Sequence, residues 1–487
     1  MQIAFISSEV DPFSKAGGLG DVARSLPKAL KRLGHRIIVI TPLYHHIDTK
    51  KFGLNLIIND IPLKIDETTT RHFAVWQGWL MEDLPIYFID SKRYFSGQKR
   101  IYGSRFDNRR FFFFDLACLE LLKTIKFAPE IIQCNDWQTG LIPYFLRKRY
   151  DQDLFFKNTN SVFTIHNLVF QSGHNWWSIP NKLKDLGHGR LPRFQEREKI
   201  ERINFAKRAI IHADMINTVS EQYAEEIMTK NFGQDLHNHL KKRSDRLFGI
   251  VNGIDYDVFN PAQDPGLRVN YDANHLDGKR ENKSYLQSLF KLPVNPNIPV
   301  IGMATRISEQ KGFDLIMDII DPLMRLDFQL VLVGGGEKMY EKFIRQIRQK
   351  HPTKVAAHLQ FSTKIATLIY AGSDLFLMPS RFEPCGLGQL ISSRYGSIPI
   401  VRATGGLADT IKNYNAKTES GNGFVFKSYD SRDMLVAIAR GLENYRHHEK
   451  WQKLVKNAME QSFGWEVPAQ KYETLFSKAL KLKKRTR

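Results

Sequence analysis

Residues 2–41 read QIAFISSEVDPFSKAGGLGDVARSLPKALKRLGHRIIVIT, and the succession of their parts decides the class of fold. Gln2–Ile6 is an apolar run of strand length. Val22, Leu26, Leu30 and Leu33 recur at helical spacing on one face of a helix, which Gly34 closes. Arg36–Thr41 is a second strand-length run. Strand, Gly-rich loop, amphipathic helix and strand make the β-loop-α-β unit of parallel, doubly wound sheets, whose loops lie at the carboxyl edge of the strands. Within that loop Lys15, Gly17, Gly18 and Gly20 resemble a phosphate cradle, although KAGGLGD is neither GxGxxG nor a P-loop ending in GK[ST].

The same logic extends along the first half. Further strands are expected at 72–76 and 86–90, then a helix over 109–125 whose FFFF run is core. The run 131–134 opens into Asn135, Asp136 and Trp137, and 161–165 opens into His166 and Asn167. Each polar pair taken singly reads as a turn; at the carboxyl ends of two strands they point into one crevice. The segment 171–193 has no period and is expected to be a mobile loop beside that crevice. Strands at 215–219 and 247–251 end the first half, with a hinge at Asn252-Gly253 and a turn-rich interdomain connection over 261–279. Asp255 and Asp257 match the short acidic signature of metal-dependent sugar transferases, but inside NGIDYDVFNP a turn or helix cap is the better reading, and no metal site is expected.

The second half opens a new sheet at 299–304, followed by Arg306 and Lys311, two cations at a strand's carboxyl end. The run 329–333 enters Gly334-Gly335-Gly336 and a helix over 337–350, a second Rossmann-like half, and Phe361 follows a short strand. The run 374–378 then leads into PSRFEPCGLGQLISSRYGSIPIVRATGGLADT, residues 379–410. Its loop carries Arg381 and Glu383, and a helix is expected over 385–395 with Gly386 and Gly388 at its start, where unencumbered amides can meet an anion. Small residues alone would fit a tight turn. A carboxylate beside anion-seeking amides suits a ligand that offers hydroxyls to one and phosphate to the other. Helices over 431–445, 450–461 and 469–482 close the chain.

At 487 residues, with 42% hydrophobic and 12% aromatic content, the chain suffices for two domains. Three cysteines without ligand spacing indicate neither a disulfide framework nor zinc, which fits a reducing cytoplasm. No apolar run approaches the ~20 residues that cross a bilayer and the N-terminus lacks a signal's basic region, so a soluble cytoplasmic protein without a membrane partner is expected. The net charge of +20 raises nucleic acid as a partner. The bases are scattered, dense only in the tail LKLKKRTR and at 241–243, so no specific nucleic-acid partner is expected.

Read together, SSEVDPFSKAGGLGDV, NDWQTG, FTIHNLVFQ, NTVSEQYAEEI, GIVNGIDYDVFNP, RISEQKG, LFLMPSRFEPCGLGQL and TGGLADT resemble, in order and over nearly the whole length, the bacterial members of the starch and glycogen synthase family. The resemblance implies an α/β fold of two Rossmann-like domains facing a deep cleft (GT-B), with a C-terminal helix returning to the first domain. The expected boundaries are 1–245 for the acceptor-side domain, 246–460 for the donor-side domain and 461–487 for the returning helix. It also implies roles. Lys15, Gly17 and Gly18 would meet the donor, His166 would bind the transferred glucose, Asp136 would stand near the reacting centre, and Asn252 would contact sugar. Arg306 and Lys311 would hold the diphosphate, Glu383 would accept from glucose hydroxyls, amides around Cys385, Gly386 and Leu387 would complete the cradle, and Phe361 would lie against the adenine. Ala16, Asn135 and Gly388 depart from the family's usual Thr or Val, His, and Thr or Asn.

The implied reaction is retaining transfer of glucose from ADP-glucose to the non-reducing end of an α-1,4-glucan such as glycogen, with no cofactor. A UDP-glucose-preferring glucan synthase, a pyridoxal-dependent phosphorylase and a catalytically silent glucan-binding or nucleic-acid-binding scaffold of the same fold are the alternatives.

Overall fold

A computed structural model describes residues 1–173 and 176–485. His174 and Asn175 of the 171–193 loop, and Thr486 and Arg487 of the basic tail, lie outside the described residues. The chain divides into two compact units, one of Met1–Asn252 with the chain from Trp465 onward, the other Gly253–Gly464.

The described strands of the first unit are β1 (Gln2–Ile6), β2 (Arg36–Pro42), β3 (Asn55–Asp66), β4 (Thr69–Met81), β5 (Leu84–Asp90), β6 (Ile131–Asn135), β7 (Asn160–Ile165), β8 (Met215–Thr218) and β9 (Leu247–Gly249). They form one sheet in the order β3-β4-β5-β2-β1-β6-β7-β8-β9. From β5 to β9 every pairing is parallel, while β3 and β4 add antiparallel strands at the edge. The parallel strands read as continuous apolar runs because both faces are covered, and β6 and β7 are buried throughout. Ile6 pairs with Cys134 and Asn135 with Thr164, so β1, β6 and β7 end side by side and their loops share one edge. The sheet order reverses at β1, where β2 lies on one side and β6 on the other; such a switch point opens a crevice at the carboxyl edge.

The FFFF run, Phe111–Phe114, is core as read. The chain from Trp465 onward forms the helix Glu466–Arg485, which belongs to the first unit as expected: Asn217 Nδ2 donates to Tyr472 Oη at 2.8 Å and Lys471 pairs with Glu221 at 2.6 Å.

The second unit holds β10 (Val300–Ala304), β11 (Gln329–Val333), β12 (Val355–His358), β13 (Leu375–Met378), β14 (Ile398–Arg402) and β15 (Phe424–Phe426), all parallel in the order β12-β11-β10-β13-β14-β15. Renumbered within the unit this is 3-2-1-4-5-6, the Rossmann order, with its switch point between β10 and β13.

Three readings change. The strand β3 had no counterpart in the sequence reading, because half of it is exposed and register shifts break its alternation. Residues 261–279 are packed inside the second unit: Tyr271 is buried and donates to the Tyr395 carbonyl at 2.8 Å, and the chain passes between the units at Asn252-Gly253 and Gly464-Trp465. The helix after the EPCG loop is Gly388–Arg394, which leaves Cys385, Gly386 and Leu387 in the loop. Among the described residues no helix is long and apolar enough to cross a membrane.

Candidate functional site

In the first unit the loops after β1, β6 and β7 bring Lys15, Asp136 and His166 to one sheet edge. Asp136 has φ +57° and ψ −179°, a region that glycine occupies almost alone and that costs another residue about 1–3 kcal/mol. Hydrogen bonds hold it there: its amide donates to Thr164 O at 2.9 Å, its Oδ1 accepts the His166 amide at 2.7 Å, and its carbonyl accepts the Thr139 amide at 3.1 Å. Burial pushes the Asp136 carboxyl up to about 7, against the lowering pull of the His166 and Asn167 amides and with a smaller upward push from Glu9.

Burial holds His166 down at about 3, so its imidazole is neutral. Its Nε2 lies 3.0 Å from Asn135 Oδ1, and Asn135 Nδ2 in turn donates to Ile6 O at 2.9 Å. The amide orientation therefore makes Nε2 the donor and leaves Nδ1 as an acceptor for a hydroxyl. Asn135, read from sequence as a departure near the site, sets the tautomer of the histidine.

The Gly-rich loop differs from the reading of an open phosphate cradle. The amides of Ala16 and Gly17 donate to Glu9 Oε2 at 2.6 and 2.9 Å, so a carboxylate of the chain occupies them. Glu9 Oε1 accepts from Tyr102 Oη at 2.6 Å. Lys15 Nζ lies 2.5 Å from Asp21 Oδ1, with its side chain 42% exposed. Gly18 begins the helix Gly18–Arg32. Asn252 is the last residue of this part of the unit, and its buried Oδ1 has no hydrogen-bond partner among the described residues.

The loop 171–193 is anchored at its start. Asn108 Oδ1 accepts from Ser172 Oγ and the Gly173 amide, both at 2.7 Å, and Gln171 Nε2 donates to Gln234 O at 2.6 Å. Beyond it lie short turns at Trp176–Ser178 and Asn181–Leu183.

In the second unit the switch-point loops after β10 and β13 carry the charged groups. Lys311 Nζ meets Glu383 Oε2 at 2.5 Å, and Ser380 Oγ donates to the same oxygen at 3.0 Å. Arg381 is committed elsewhere, to Glu309 at 2.7 Å and Asp314 at 3.3 Å, so it is not the partner of Glu383. Arg306 is exposed and has no hydrogen bond or ion pair among the described residues.

Gln389 Nε2 donates to the carbonyls of Cys385 and Gly386, each at 3.0 Å. In a planar trans peptide the amide opposes its carbonyl, so the N–H groups of Gly386 and Leu387 point away from Gln389 and have no partner among the described residues. Gly405 packs against this loop so closely that a Cβ would stand 1.9 Å from Glu383 O. Phe361 follows β12 and is 67% exposed, unlike a core ring.

Asp255 Oδ1 accepts from the Asp257 amide at 3.0 Å, the turn expected of that pair. Glu9, Tyr102, Asp21 and Ser380 escaped the sequence reading. Only the acidic position just before the Gly-rich loop offered a local signal.

The family described as starch synthase catalytic domain matches residues 2–242, and that described as glycosyl transferases group 1 matches residues 286–461. The chain is similar to a glycogen synthase of Desulforudis audaxviator, 46% identical over 99% of this chain and 97% of that one. It is similar also to a glycogen synthase of Moorella thermoacetica, 43% identical over 99% and 97%. Among solved structures it resembles the catalytic domain of starch synthase IV from Arabidopsis thaliana, bound to ADP and acarbose, with a TM-score of 0.87 and 34% identity over 98% of this chain and 99% of that one.

Proposed function

Because the chain belongs to the starch and glycogen synthase family of glycosyltransferases, we propose that it transfers glucose from ADP-glucose to the non-reducing end of an α-1,4-glucan, with retention at the anomeric carbon. The observation that carries this reading is the grouping in the second unit of two amides and an arginine without partners among the described residues, with a lysine beside a buried carboxylate. Such a set suits a ligand with a diphosphate at one end and hydroxyls at the other. The ADP in the related Arabidopsis enzyme favours adenine as the base.

In this proposal the amides of Gly386 and Leu387, with Arg306, Lys311 and the loop at Cys385, take the diphosphate. As the glycosidic bond breaks, negative charge grows on the leaving phosphate, and a cation already held in place, as Lys311 is by Glu383, lowers the barrier without reorganising. Glu383 accepts from glucose hydroxyls. His166 accepts another through Nδ1, and Asn252 Oδ1, without a donor among the described residues, is a further acceptor. Lys15, at the Gly17-Gly18 turn, adds positive charge, and Phe361 offers its exposed face to the base.

The acceptor hydroxyl attacks on the face the diphosphate leaves and gives its proton to the departing phosphate oxygen. Bond to ADP and bond to glucan thus exchange on one face. Asp136 stands beside His166 at the reacting end. A cytoplasmic location accords with this substrate.

The test is ADP release from ADP-glucose and UDP release from UDP-glucose, with and without glycogen, and the anomeric linkage of the product. Glycogen-dependent ADP release with an α-1,4 product is expected. Preference for UDP-glucose would reassign the base pocket, and no release from either donor would leave a glucan-binding scaffold.

A further inference from the structure

We propose that Glu9 is a positioning residue, occupying the anion-binding amides of the Gly-rich loop so that they set Lys15 and do not capture phosphate. The inference rests on the glycosyl-transfer reading for its activity readout and on geometry alone for its binding readout. Glu9 is 4% exposed and its two oxygens are divided between two tasks. Oε2 accepts the consecutive amides of Ala16 and Gly17, the arrangement in which such loops bind phosphate oxygens. Oε1 accepts from Tyr102 Oη, which also meets Ser8 Oγ at 2.8 Å, while Tyr44 Oη donates to Ser8 O at 2.9 Å. The carboxylate is therefore held by two donors from the loop and one from a tyrosine that is itself braced.

Two consequences follow. Neighbouring amides tied to one oxygen fix the peptide planes on either side of Ala16, and with them the direction in which the Lys15 side chain leaves the loop. A full negative charge on those amides also makes them a poor site for a diphosphate. Donor charge is then left to the cations and to the amides of Gly386 and Leu387, which have no partner among the described residues.

The experiment compares wild type, Glu9→Ala and Glu9→Gln in the full chain by calorimetric titration with inorganic pyrophosphate, thermal unfolding and steady-state kinetics. Glu9→Ala frees the amides, so pyrophosphate should bind about tenfold tighter or with added stoichiometry, while kcat falls on the order of 10² and the ADP-glucose KM rises. Glu9→Gln retains an acceptor for the amides and should return kcat to within about fivefold of wild type. It keeps the test valid if the alanine variant does not fold, because loss of the charge alone should tighten pyrophosphate several-fold. Unchanged or weaker pyrophosphate binding in both variants would overturn the proposal. So would a lowered Tm with kcat and KM unchanged in Glu9→Ala, which would make the contact structural only. A wild type inactive with every nucleotide-glucose would sink the glycosyl-transfer reading and leave the pyrophosphate comparison to decide this one.

Discussion

Replacing Glu383 by Gln preserves the volume of the side chain and one acceptor but removes the charge that meets Lys311 at 2.5 Å, where the two side chains are 8% and 15% exposed. At that separation and an effective dielectric constant of ~20, the gross attraction is about 7 kcal/mol. Desolvation of both groups offsets most of it, and removing one partner of a fully buried pair costs about 3–5 kcal/mol. Here the amide still accepts from Ser380 Oγ, and Lys311 keeps a path to water, so a loss of ~1–2 kcal/mol is expected. For a unit of this size each kcal/mol lowers Tm by about 2–4 °C.

The expected effect on turnover is larger. If Glu383 holds glucose hydroxyls while bonds to the anomeric carbon loosen, kcat should fall on the order of 10² to 10³, as when one preorganised electrostatic contact is lost. Steady-state kinetics and thermal unfolding on one preparation separate the effects, and Lys311→Met with the double variant completes a cycle. If the carboxylate merely neutralises Lys311, the double variant should regain both stability and kcat relative to Glu383→Gln. A normal kcat with a lowered Tm in Glu383→Gln would refute the catalytic reasoning.

Phe361→Ala should raise the ADP-glucose KM by the equivalent of roughly 1–3 kcal/mol, the worth of stacking one base on a ring, with little change in Tm because the ring is 67% exposed; an unchanged KM would remove it from the base site. Activity should survive EDTA, since Arg306 and Lys311 supply the positive charge, and loss restored by Mg²⁺ or Mn²⁺ would instead promote Asp255 and Asp257 to ligands. Asp136, held at about 7 from an ordinary 3.8, binds its proton more tightly in the folded state. Its contribution to stability is full below about pH 4 and lost as pH rises through about 7, so the unfolding free energy of Asp136→Asn minus that of wild type should grow across that window in urea titrations. A constant difference would mean that Asp136 titrates normally.

Local pattern carried much of this protein. Apolar runs such as Gln2–Ile6 and Ile131–Asn135 are strands buried on both faces, and that double burial is itself written as an uninterrupted apolar stretch. The Gly-rich loop, the NDW and TIHN junctions and the EPCG loop were legible because each is a short segment at the end of a strand. What stayed hidden depends on burial that contradicts composition. The helix Asp277–Leu289 turns Lys279, Asn282, Lys283 and Gln287 inward, and no apolar period reveals it. Lys279 is buried with its Nζ donating to the carbonyls of Ala371, Ser373 and Tyr395 at 2.9–3.0 Å; burial draws its pKa to about 7, against the raising pull of Asp374 and with a further lowering push from Lys283.

Partnership was the other part that sequence could not supply. Lys311 and Glu383 stand 72 positions apart, Asn135 and His166 are 31 apart, and Glu9 reaches Tyr102 across 93. The first two pairs meet because neighbouring parallel strands in register end at the same sheet edge, while Tyr102 comes from the segment between β5 and the helix Asp107–Thr124. That register is set by how whole strands pack, so residue type and spacing named the polar groups while only the tertiary structure decided which side-chain oxygen each amide, lysine and imidazole would face.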